Sequence, residues 1–259
     1  MPDALARAVE AATAEAGALA MGRFRTEFGQ WEKAGGSPVC EVDLAVDALL
    51  RDSLGRIDPQ AGWLSEETAD DPVRLGCRRV WVVDPIDGTR DYIRRRTGWA
   101  VSVALVERGQ VVLGVLDAPA LGDRYLATAG EGAWRNGVRL HASDRRALPG
   151  ARVPADQLSR ADRDLTAVAK PNSIALRIAK VAAGEADLVA SLRWGNEWDL
   201  AAADLIAREA GAAVSDALGA PIAYNTPTGE AFGILATAPA IHAAALERLR
   251  GRAQAALPR

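Results

Sequence analysis

Residues suited to thiol or imidazole chemistry are scarce in this chain. Its 259 residues include only two cysteines, Cys40 and Cys77, and two histidines, His141 and His242. They lie far apart in the sequence, so no spacing among them suits a zinc site, and we expect no Ser/His or Cys/His constellation for a covalent nucleophile. Two isolated cysteines fit a reducing compartment, so we expect a cytoplasmic protein.

The chain also lacks a strong charge imbalance and long apolar runs. Its formal net charge is -3, so no global basic field points to a nucleic acid polymer. No apolar run reaches the length of a transmembrane helix, and the acidic start MPDALARAVE has neither the basic start nor the apolar core of a signal peptide. We therefore expect a soluble protein without nucleic acid or membrane partners.

The stretch WVVDPIDGT, residues 81–89, places two carboxylates behind an apolar strand. Pro85 has no N–H and holds Asp84 extended, so we expect the strand to stop there with Asp84 at its carboxyl end. Asp87-Gly88 is a turn signal, and Thr89 can cap the helix that follows. A solvated Asp in an Asx-turn is the alternative, but the apolar strand that leads into the acids favours a metal site.

The ligands available at this stretch are hard oxygens, which suit Mg²⁺ or Mn²⁺. Two nearby carboxylates repel each other unless a positive charge lies between them or one stays protonated. Two ions that share one Asp would stabilise the attacking and leaving oxygens of an in-line phosphoryl displacement. Gly88 and Thr89, at the start of a helix, would offer backbone N–H groups to the phosphate.

Four further carboxylates are predicted at the ends of secondary-structure elements. Asp43 lies at or near the N-cap of a helix predicted over residues 44–54, and Asp199 lies at the start of a helix predicted over residues 198–210, with Gly211 just past its end. Capping is the alternative role for both. Glu66 and Glu67 follow a short strand, GWLS, and point to opposite sides, so one can face a metal site; a solvated loop pair is the alternative.

The remaining pattern predicts an α/β chain. We expect one domain over residues 1–259, with sub-halves of about 1–140 (α+β, carrying the metal loop) and 165–259 (α/β) and a polar seam at 141–164. Helices are predicted over 3–28, 174–183 and 239–249, with a loop at 32–36. Strands are predicted over 99–106, 111–116, 125–127, 132–134, 165–169, 187–191, 214–216 and 233–236, with a hairpin turn at Asn136-Gly137.

Four motifs together resemble the inositol monophosphatase-like superfamily of Mg²⁺-dependent, often lithium-sensitive phosphatases. They are SPVCEVD (37–43), GWLSEE (62–67), WVVDPIDGT (81–89) and WDLAAADLIAREAG (198–211), in family order. The resemblance covers nearly the whole chain and implies an α/β fold, a layered αβαβα sandwich of the inositol monophosphatase/fructose-1,6-bisphosphatase type. It implies a phosphoric monoester hydrolase that uses metal-activated water, two or three Mg²⁺ ions with Mn²⁺ as a substitute, and a homodimer.

The resemblance also assigns roles to single residues. Glu66, Asp84 and the backbone carbonyl of Ile86 would hold the first metal, and Asp84, Asp87 and Asp199 the second. Asp43, Glu66 and Thr89 would be catalytic, with Glu66 orienting the attacking water and the Thr89–Asp43 pair helping to activate it. The implied substrate contacts are Glu66, Ile86, Asp87, Gly88, Thr89 and Asp199.

Two departures from the family pattern concern packing. The family usually has Thr where this chain has Cys40, which affects the surroundings of Asp43. The family helix reads Asp-x-Ala-Ala-Gly, whereas Asp204 follows three alanines here. We expect that helix face to have repacked with the metal site retained.

Other segments resemble the bacterial CysQ-type 3'(2'),5'-bisphosphate nucleotidases, namely DGTRDYIRRRTGWAVSVALVERG after the metal loop and GNEWDLAAADLI. Leu192 stands where inositol monophosphatases carry a Glu that holds inositol hydroxyls, so we expect it to pack against a nucleobase edge. The run Arg94, Arg95, Arg96 would attract a second phosphate, with a plain solvated face as the alternative. The expected reaction converts adenosine 3',5'-bisphosphate to AMP.

Two other functions remain open from the sequence. One is an inositol-1-phosphate or other sugar- or polyol-phosphate phosphatase. The other is a catalytically silent homologue that binds Mg²⁺ and phosphate, which a phosphate-release assay would distinguish from an enzyme.

Overall fold

Helices form where apolar residues recur at helical spacing behind a polar cap. The computed structural model describes residues 3–32 and 38–257. Its α-helices are α1 (Ala4–Arg23), α2 (Glu41–Ile57), α3 (Thr89–Ile93), α4 (Ile174–Ala182), α5 (Ala201–Glu209) and α6 (His242–Ala256). Asp3 caps α1 by accepting a 2.8 Å hydrogen bond from the Ala6 N–H, and Ser173 caps α4 through the Leu176 N–H.

Within the described residues, the strands form one large sheet and three smaller ones. The seven-stranded sheet has the order β3-β4-β5-β6-β7-β8-β9, in which β3 and β4 are parallel and the other neighbours are antiparallel. Its strands are β3 (Gly62–Ser65), β4 (Arg79–Asp87), β5 (Ala100–Glu107), β6 (Gln110–Ala118), β7 (Asp123–Thr128), β8 (Gly132–Arg135) and β9 (Val138–Arg139). The antiparallel three-stranded sheet has the order β12-β14-β13, with β12 (Leu188–Asn196), β13 (Ala213–Ser215) and β14 (Glu230–Thr237). The two-stranded sheets pair β1 (Gln30–Glu32) with β2 (Pro38–Cys40), and β10 (Arg152–Pro154) with β11 (Thr166–Val168).

Apolar side chains bury both faces of the seven-stranded sheet. On β4, Trp81 and Val83 join a core cluster with α1 and α2, while Val80 and Val82 join a second cluster with α4 and α5. The second cluster continues onto the three-stranded sheet, and α6 covers the far side of that sheet. Helices and sheets thus alternate in five layers, which confirms the αβαβα sandwich. Each large apolar side chain buried in this way contributes roughly 1.5–3 kcal/mol relative to exposure.

The predicted strand end at Asp84-Pro85 is wrong. Strand β4 continues to Asp87, and its register against β5 slips by one residue between Asp84 and Asp87. This bulge accommodates Pro85, which cannot donate to the ladder. Thr89 is not a cap but the first residue of α3, and Gly88 is its N-cap.

Several helix boundaries also differ from the sequence prediction. Helix α1 ends at Arg23 instead of residue 28, and α2 begins at Glu41, so Asp43 lies inside its first turn. The segment predicted as one helix from 198 divides into a 3₁₀ turn, Glu197–Asp199, and α5. The predicted strand 187–191 extends to Asn196 as β12. Ser37 and the loop residues 33–36 lie outside the described residues.

The alanines that distinguish α5 from the family pattern are fully buried. Ala201, Ala202 and Ala203 all lie in the cluster between the two sheets, while Asp204 pairs with Arg208 and accepts a 2.9 Å hydrogen bond from the Tyr224 hydroxyl. Small side chains let α5 lie close to the sheet. This helix face is therefore packed with small residues. The Asp204 carboxylate has its hydrogen-bond partners in Arg208 and Tyr224 and does not belong to the acidic segment 84–87.

In residues 3–32 and 38–257, no helix combines the length and the apolar character needed to cross a bilayer.

An ion pair between the half-buried Arg152 and the buried Asp187 connects the polar segment 141–164 to the second half of the chain. Asp187 is 1% exposed, and its carboxylate accepts hydrogen bonds from the Arg152 backbone, the Arg152 guanidinium and the Ser143 hydroxyl, at 2.6–2.9 Å. Burial alone would raise the pKa of Asp187, but these hydrogen bonds outweigh it and hold the pKa at about 2. The division of the chain into two sub-halves stays a prediction.

Asp187→Asn should lower the free energy of unfolding at pH 7 by about 2–4 kcal/mol, because it removes a charge that Arg152 pairs with. The folded-state pKa lies below the unfolded value of about 3.9, so this stabilisation is present above that value. It is lost as the pH falls towards the folded-state pKa. Urea unfolding at pH 7, 5 and 4 measures the difference. The control Asp52→Asn, at an exposed ion pair with Arg56, should change stability by less than about 0.5 kcal/mol. A variant as stable as the wild type at pH 7 would contradict the assignment.

Candidate metal and phosphate site

Segments far apart in the sequence converge on one cavity of about 730 Å³. Because β3 and β4 are parallel, their carboxyl ends meet at the same edge of the sheet, which brings Glu66 close to Asp84. The start of α4, the end of β12 and the turn before α5 complete the walls. The acidic residues of the lining are Glu66, Asp84, Asp87 and Asp199, and the basic ones are Arg90, Lys170, Arg177 and Arg193.

Three carboxylates form the centre of this cavity. Among the described residues, Asp84, Asp87 and Asp199 each offer one oxygen, and these oxygens lie within 4.8 Å of one another. Burial raises the pKa of Asp84 well above its usual value, and repulsion from Glu66, Asp87 and Asp199 raises it further. Burial and repulsion from Asp87 and Glu66 likewise raise the pKa of Asp199. The cluster therefore favours either a proton or a cation among its oxygens.

The β4 bulge and the start of α4 hold two of these carboxylates in place. Asp84 Oδ1 accepts a 3.0 Å hydrogen bond from the Ile86 N–H within the bulge. Asp87 accepts from the Ser173 hydroxyl and from the Ala175 N–H at 2.7 Å, both on Oδ2, while its Oδ1 accepts only a longer bond of 3.3 Å from the Ile174 N–H. Oδ1 thus keeps capacity for another partner. Burial still raises the pKa of Asp87, to about 6, against these hydrogen bonds.

Gly88 is required by this arrangement. Its φ is +94°, and a Cβ there would lie 2.7 Å from the Gly98 carbonyl oxygen and 2.9 Å from the Ser173 nitrogen. Only glycine adopts this conformation and admits the start of α4 so closely. The Asp87-Gly88 pair therefore makes the turn before α3 and also packs against the start of α4.

Glu66 is positioned by a clamp on its loop. The Asp47 carboxylate accepts from the hydroxyl of Ser65 and, at 2.6 Å, from that of Thr68. The Glu66 N–H donates to the Val83 carbonyl at 3.3 Å. These bonds fix the loop on both sides of Glu66, which is half-buried and lines the cavity.

A hydroxyl–carboxylate pair adjoins the cluster, as predicted for Thr89 and Asp43. Thr89 Oγ1 lies 3.2 Å from Asp43 Oδ1 and 3.0 Å from the Ile86 carbonyl oxygen, so its single proton has two acceptors. The other Asp43 oxygen accepts from the Cys40 N–H at 2.9 Å and from its thiol at 2.8 Å. Burial raises the pKa of Asp43 to about 6, although the Cys40 hydrogen bonds oppose the change. Cys40 thus supplies the donor that a Thr would, and Asp43 also caps α2 from inside the first turn.

The structure places the arginine run and Leu192 outside the lining of the cavity that contains the acidic cluster. Arg94 lines a neighbouring cavity, and Arg95 and Arg96 are exposed. This agrees with the alternative that the arginine run forms a solvated face. Leu192 packs on apolar clusters that include Leu188 and Phe232, so the expectation that it contacts a nucleobase is wrong. Its position in a β-bulge turns the side chain into the core while its neighbours line the cavity.

Four polar residues of the site were missed from the sequence. The Ser173 hydroxyl donates a hydrogen bond to Asp87. Lys170, Arg177 and Arg193 add positive charge to the cavity lining, opposite in sign to the acids. Arg177 donates to two backbone carbonyls, and Lys170 pairs with Asp156 at 2.5 Å. The Lys-Pro-Asn-Ser sequence at residues 170–173 could have indicated two of these residues, because it places a cation next to a helix-capping serine.

The donor set fits a hard divalent cation. Its ligand atoms are carboxylate oxygens, Ile86 lines the same cavity, and no cysteine or histidine belongs to the cluster found in the described ranges. Oxygen ligands of this kind suit Mg²⁺ or Mn²⁺. The mutual repulsion of the acids is what a bound cation would relieve.

The layered fold and an acidic centre beside a hydroxyl–carboxylate pair together define a metal-dependent hydrolase of phosphate esters. The chain belongs to the inositol monophosphatase family, whose family model matches residues 1–254. It is a phosphoric monoester hydrolase of that metal-dependent family, as the sequence motifs predicted.

Individual relatives differ in the substrate that their names give. The 3'(2'),5'-bisphosphate nucleotidase CysQ of Escherichia coli (strain K12) is 37% identical over 208 residues, which are 74% of this chain and 82% of the relative. The histidinol-phosphatase of Mycobacterium tuberculosis is 36% identical over 191 residues, 68% of this chain and 72% of the relative. The solved structure of the IMPase of Thermotoga maritima superposes with a TM-score of 0.84 at 26% identity, covering 96% of this chain and 97% of that one. The resemblance to the CysQ type is thereby confirmed.

Proposed function

We propose that this phosphatase removes the 3'-phosphate of a nucleoside 3',5'-bisphosphate, with adenosine 3',5'-bisphosphate converted to AMP, and that Mg²⁺ is its resident ion. One observation carries the proposal. The Asp84–Asp87–Asp199 cluster and the Thr89–Asp43 pair lie at a cavity that also presents cationic side chains. The cavity can thus hold one phosphate at the acidic centre and a second anionic group beside it. Similarity to the Escherichia coli CysQ supports the same substrate class.

The metal ligands are proposed from the Asp84–Asp87–Asp199 cluster and from the family motifs. Glu66, Asp84 and the Ile86 carbonyl would hold a first ion, and Asp84, Asp87 and Asp199 a second. When bound, the ions supply positive charge that makes water more acidic and stabilises charge developing on the phosphoryl oxygens. Asp84, with the pKa raised by burial and by three neighbouring acids, is the residue that both ions would share.

The chain's own residues prepare the attacking water. Glu66, held by the Asp47 clamp, orients that water towards the phosphorus. Thr89 Oγ1 accepts a water proton as its own proton moves to Asp43 Oδ1, 3.2 Å away. The new bond joins the water oxygen to phosphorus, the ester P–O bond breaks, and the nucleoside oxygen leaves and takes a proton from solvent. The N–H groups of Gly88 and Thr89 would contact the phosphate, together with Glu66, Ile86, Asp87 and Asp199, all of which line the cavity.

Recognition of the second phosphate is assigned to Arg193 and Lys170. Both line the cavity, and Arg193 is exposed. Charge-assisted hydrogen bonds from these side chains would hold a phosphate that the acidic centre does not bind. The residues that carried this role in the sequence prediction, Arg94 to Arg96, lie outside the cavity and could act only by long-range attraction.

The kcat/KM for adenosine 3',5'-bisphosphate should exceed that for inositol 1-phosphate. The preference should weaken as the ionic strength rises, because attraction to the partly exposed Arg193 and Lys170 is screened. Steady-state kinetics with both substrates at two salt concentrations measures it, with p-nitrophenyl phosphate as a control for general phosphatase activity. A higher kcat/KM for inositol 1-phosphate would move the assignment to the polyol-phosphate alternative. Absence of turnover on all three would favour a silent phosphate-binding homologue.

The remaining expectations are proposals of the same kind. We propose a cytoplasmic location, which the free cysteines Cys40 and Cys77 support. We also propose a homodimer, which the family resemblance supports. Light scattering on the purified chain measures the oligomeric state.

A further inference from the structure

An exposed indole lines the catalytic cavity. Trp194 is 47% exposed, although proteins usually bury most of a tryptophan side chain. It packs against Phe232, with ring centroids 5.4 Å apart and planes tilted by 56°. Trp194 also belongs to the lining of the cavity that contains the acidic cluster. A large aromatic surface is therefore open to whatever occupies the cavity.

The backbone is built to present this side chain. Strand β12 pairs Ser191 with Ile234 and Trp194 with Phe232, so β12 has one more residue than β14 between these pairs. Opposite this bulge, Gly233 has φ +65°, and a Cβ there would lie 2.1 Å from the Ser191 carbonyl oxygen. The bulge thus depends on Gly233, and it sends Leu192 into the core while Arg193 and Trp194 line the cavity.

The surroundings of Trp194 suit a flat apolar group next to an anion. The same wall includes Ala190, Gly195 and Gly233, which bring no side-chain hydrogen-bonding group, together with the polar side chains of Ser191 and Asn196. The adjacent Arg193 is exposed and cationic. An aromatic face beside a guanidinium is the combination by which proteins hold a base and its neighbouring phosphate.

We propose that Trp194 is a specificity-determining residue that stacks on the nucleobase of the substrate. This inference rests on the proposed nucleotidase function and names the group that selects a nucleotide over a base-free phosphate ester. Stacking needs only a π-face, so Trp194 should accept different bases with modest preference.

The test compares adenosine 3',5'-bisphosphate with an abasic 1-deoxyribose 3,5-bisphosphate, which keeps both phosphates and lacks only the base. In Trp194→Ala, the ratio of kcat/KM for these two substrates should fall about tenfold, mainly through a higher KM for the adenosine compound. Trp194→Phe should restore most of the ratio, since a smaller aromatic face remains. Trp134→Ala, which removes a half-buried tryptophan of β8, should leave the ratio as in the wild type.

The possible results separate the two proposals. A Trp194→Ala enzyme that keeps the wild-type ratio, or loses kcat for both substrates equally, overturns the stacking role. If the wild type itself prefers inositol 1-phosphate to adenosine 3',5'-bisphosphate, the nucleotidase assignment fails, and the stacking role fails with it. A wild type that prefers the nucleotide, with the ratio lost in Trp194→Ala and regained in Trp194→Phe, supports both.

Discussion

Asp84→Asn should lose turnover by roughly a thousandfold or more at saturating Mg²⁺, because Asp84 is proposed to contact both ions and metal stabilisation contributes several kcal/mol to the transition state. The fold should persist. In chelator at pH 7, the variant should unfold at a higher temperature than the wild type, because Asn removes a buried charge that Glu66, Asp87 and Asp199 repel. Phosphate release and thermal unfolding, each with Mg²⁺ and with chelator, measure both effects.

The sign of the pH dependence adds a check on the same variant. A carboxyl group with a raised folded-state pKa destabilises the fold as the pH rises above its unfolded pKa. The stability advantage of Asp84→Asn without metal should therefore be present at neutral pH and shrink towards about pH 4, where the unfolded carboxyl also becomes protonated. The exposed Asp52→Asn serves as the control and should keep wild-type turnover. Substantial turnover by Asp84→Asn would refute the two-metal assignment.

Thr89→Ala and Asp43→Asn should each lower kcat by about 10²–10⁴-fold, the usual contribution of a positioned proton acceptor. Inhibition by inorganic phosphate should change much less, since neither change removes a carboxylate of the Asp84–Asp87–Asp199 cluster. Single-turnover kinetics and phosphate inhibition separate the two effects.

The Asp43→Asn variant also distinguishes catalysis from helix capping. Its amide oxygen can still accept from the Cys40 N–H, so the start of α2 should survive, but the amide cannot take a proton from Thr89. Thr89→Ser keeps a hydroxyl and should retain much of the activity. Near-wild-type kcat in Asp43→Asn would leave Asp43 with a capping role alone.

The sequence predicted the elements that carry the site because local patterns encode them. The apolar run before Asp84 predicted a strand buried on both faces, and Val80 to Val83 divide between two core clusters as that requires. The Asp-Gly pair predicted a turn, and Gly88 has the positive φ that such a turn needs. Family motifs then predicted which acids meet, and the structure brings Asp84, Asp87 and Asp199 together.

What the sequence did not predict depends on contacts between distant segments. Ser173 and Asp87 are 86 residues apart, and nothing local indicates that the start of α4 meets the metal loop. The bulges in β4 and β12 shift side chains by one position, which is why Pro85 stayed within a strand and Leu192 turned into the core. A run of arginines was the most visible cationic feature, whereas single cations from separate elements line the cavity.

The most direct measurement follows adenosine 3',5'-bisphosphate by phosphorus NMR with the purified wild type, in Mg²⁺ and in chelator, and with Asp84→Asn in parallel. The expected result is loss of the 3'-phosphate signal and appearance of 5'-AMP with inorganic phosphate only for the wild type in Mg²⁺. Hydrolysis that persists in chelator or in Asp84→Asn, or loss of the 5'-phosphate instead, would contradict catalysis by the Asp84–Asp87–Asp199 centre as described.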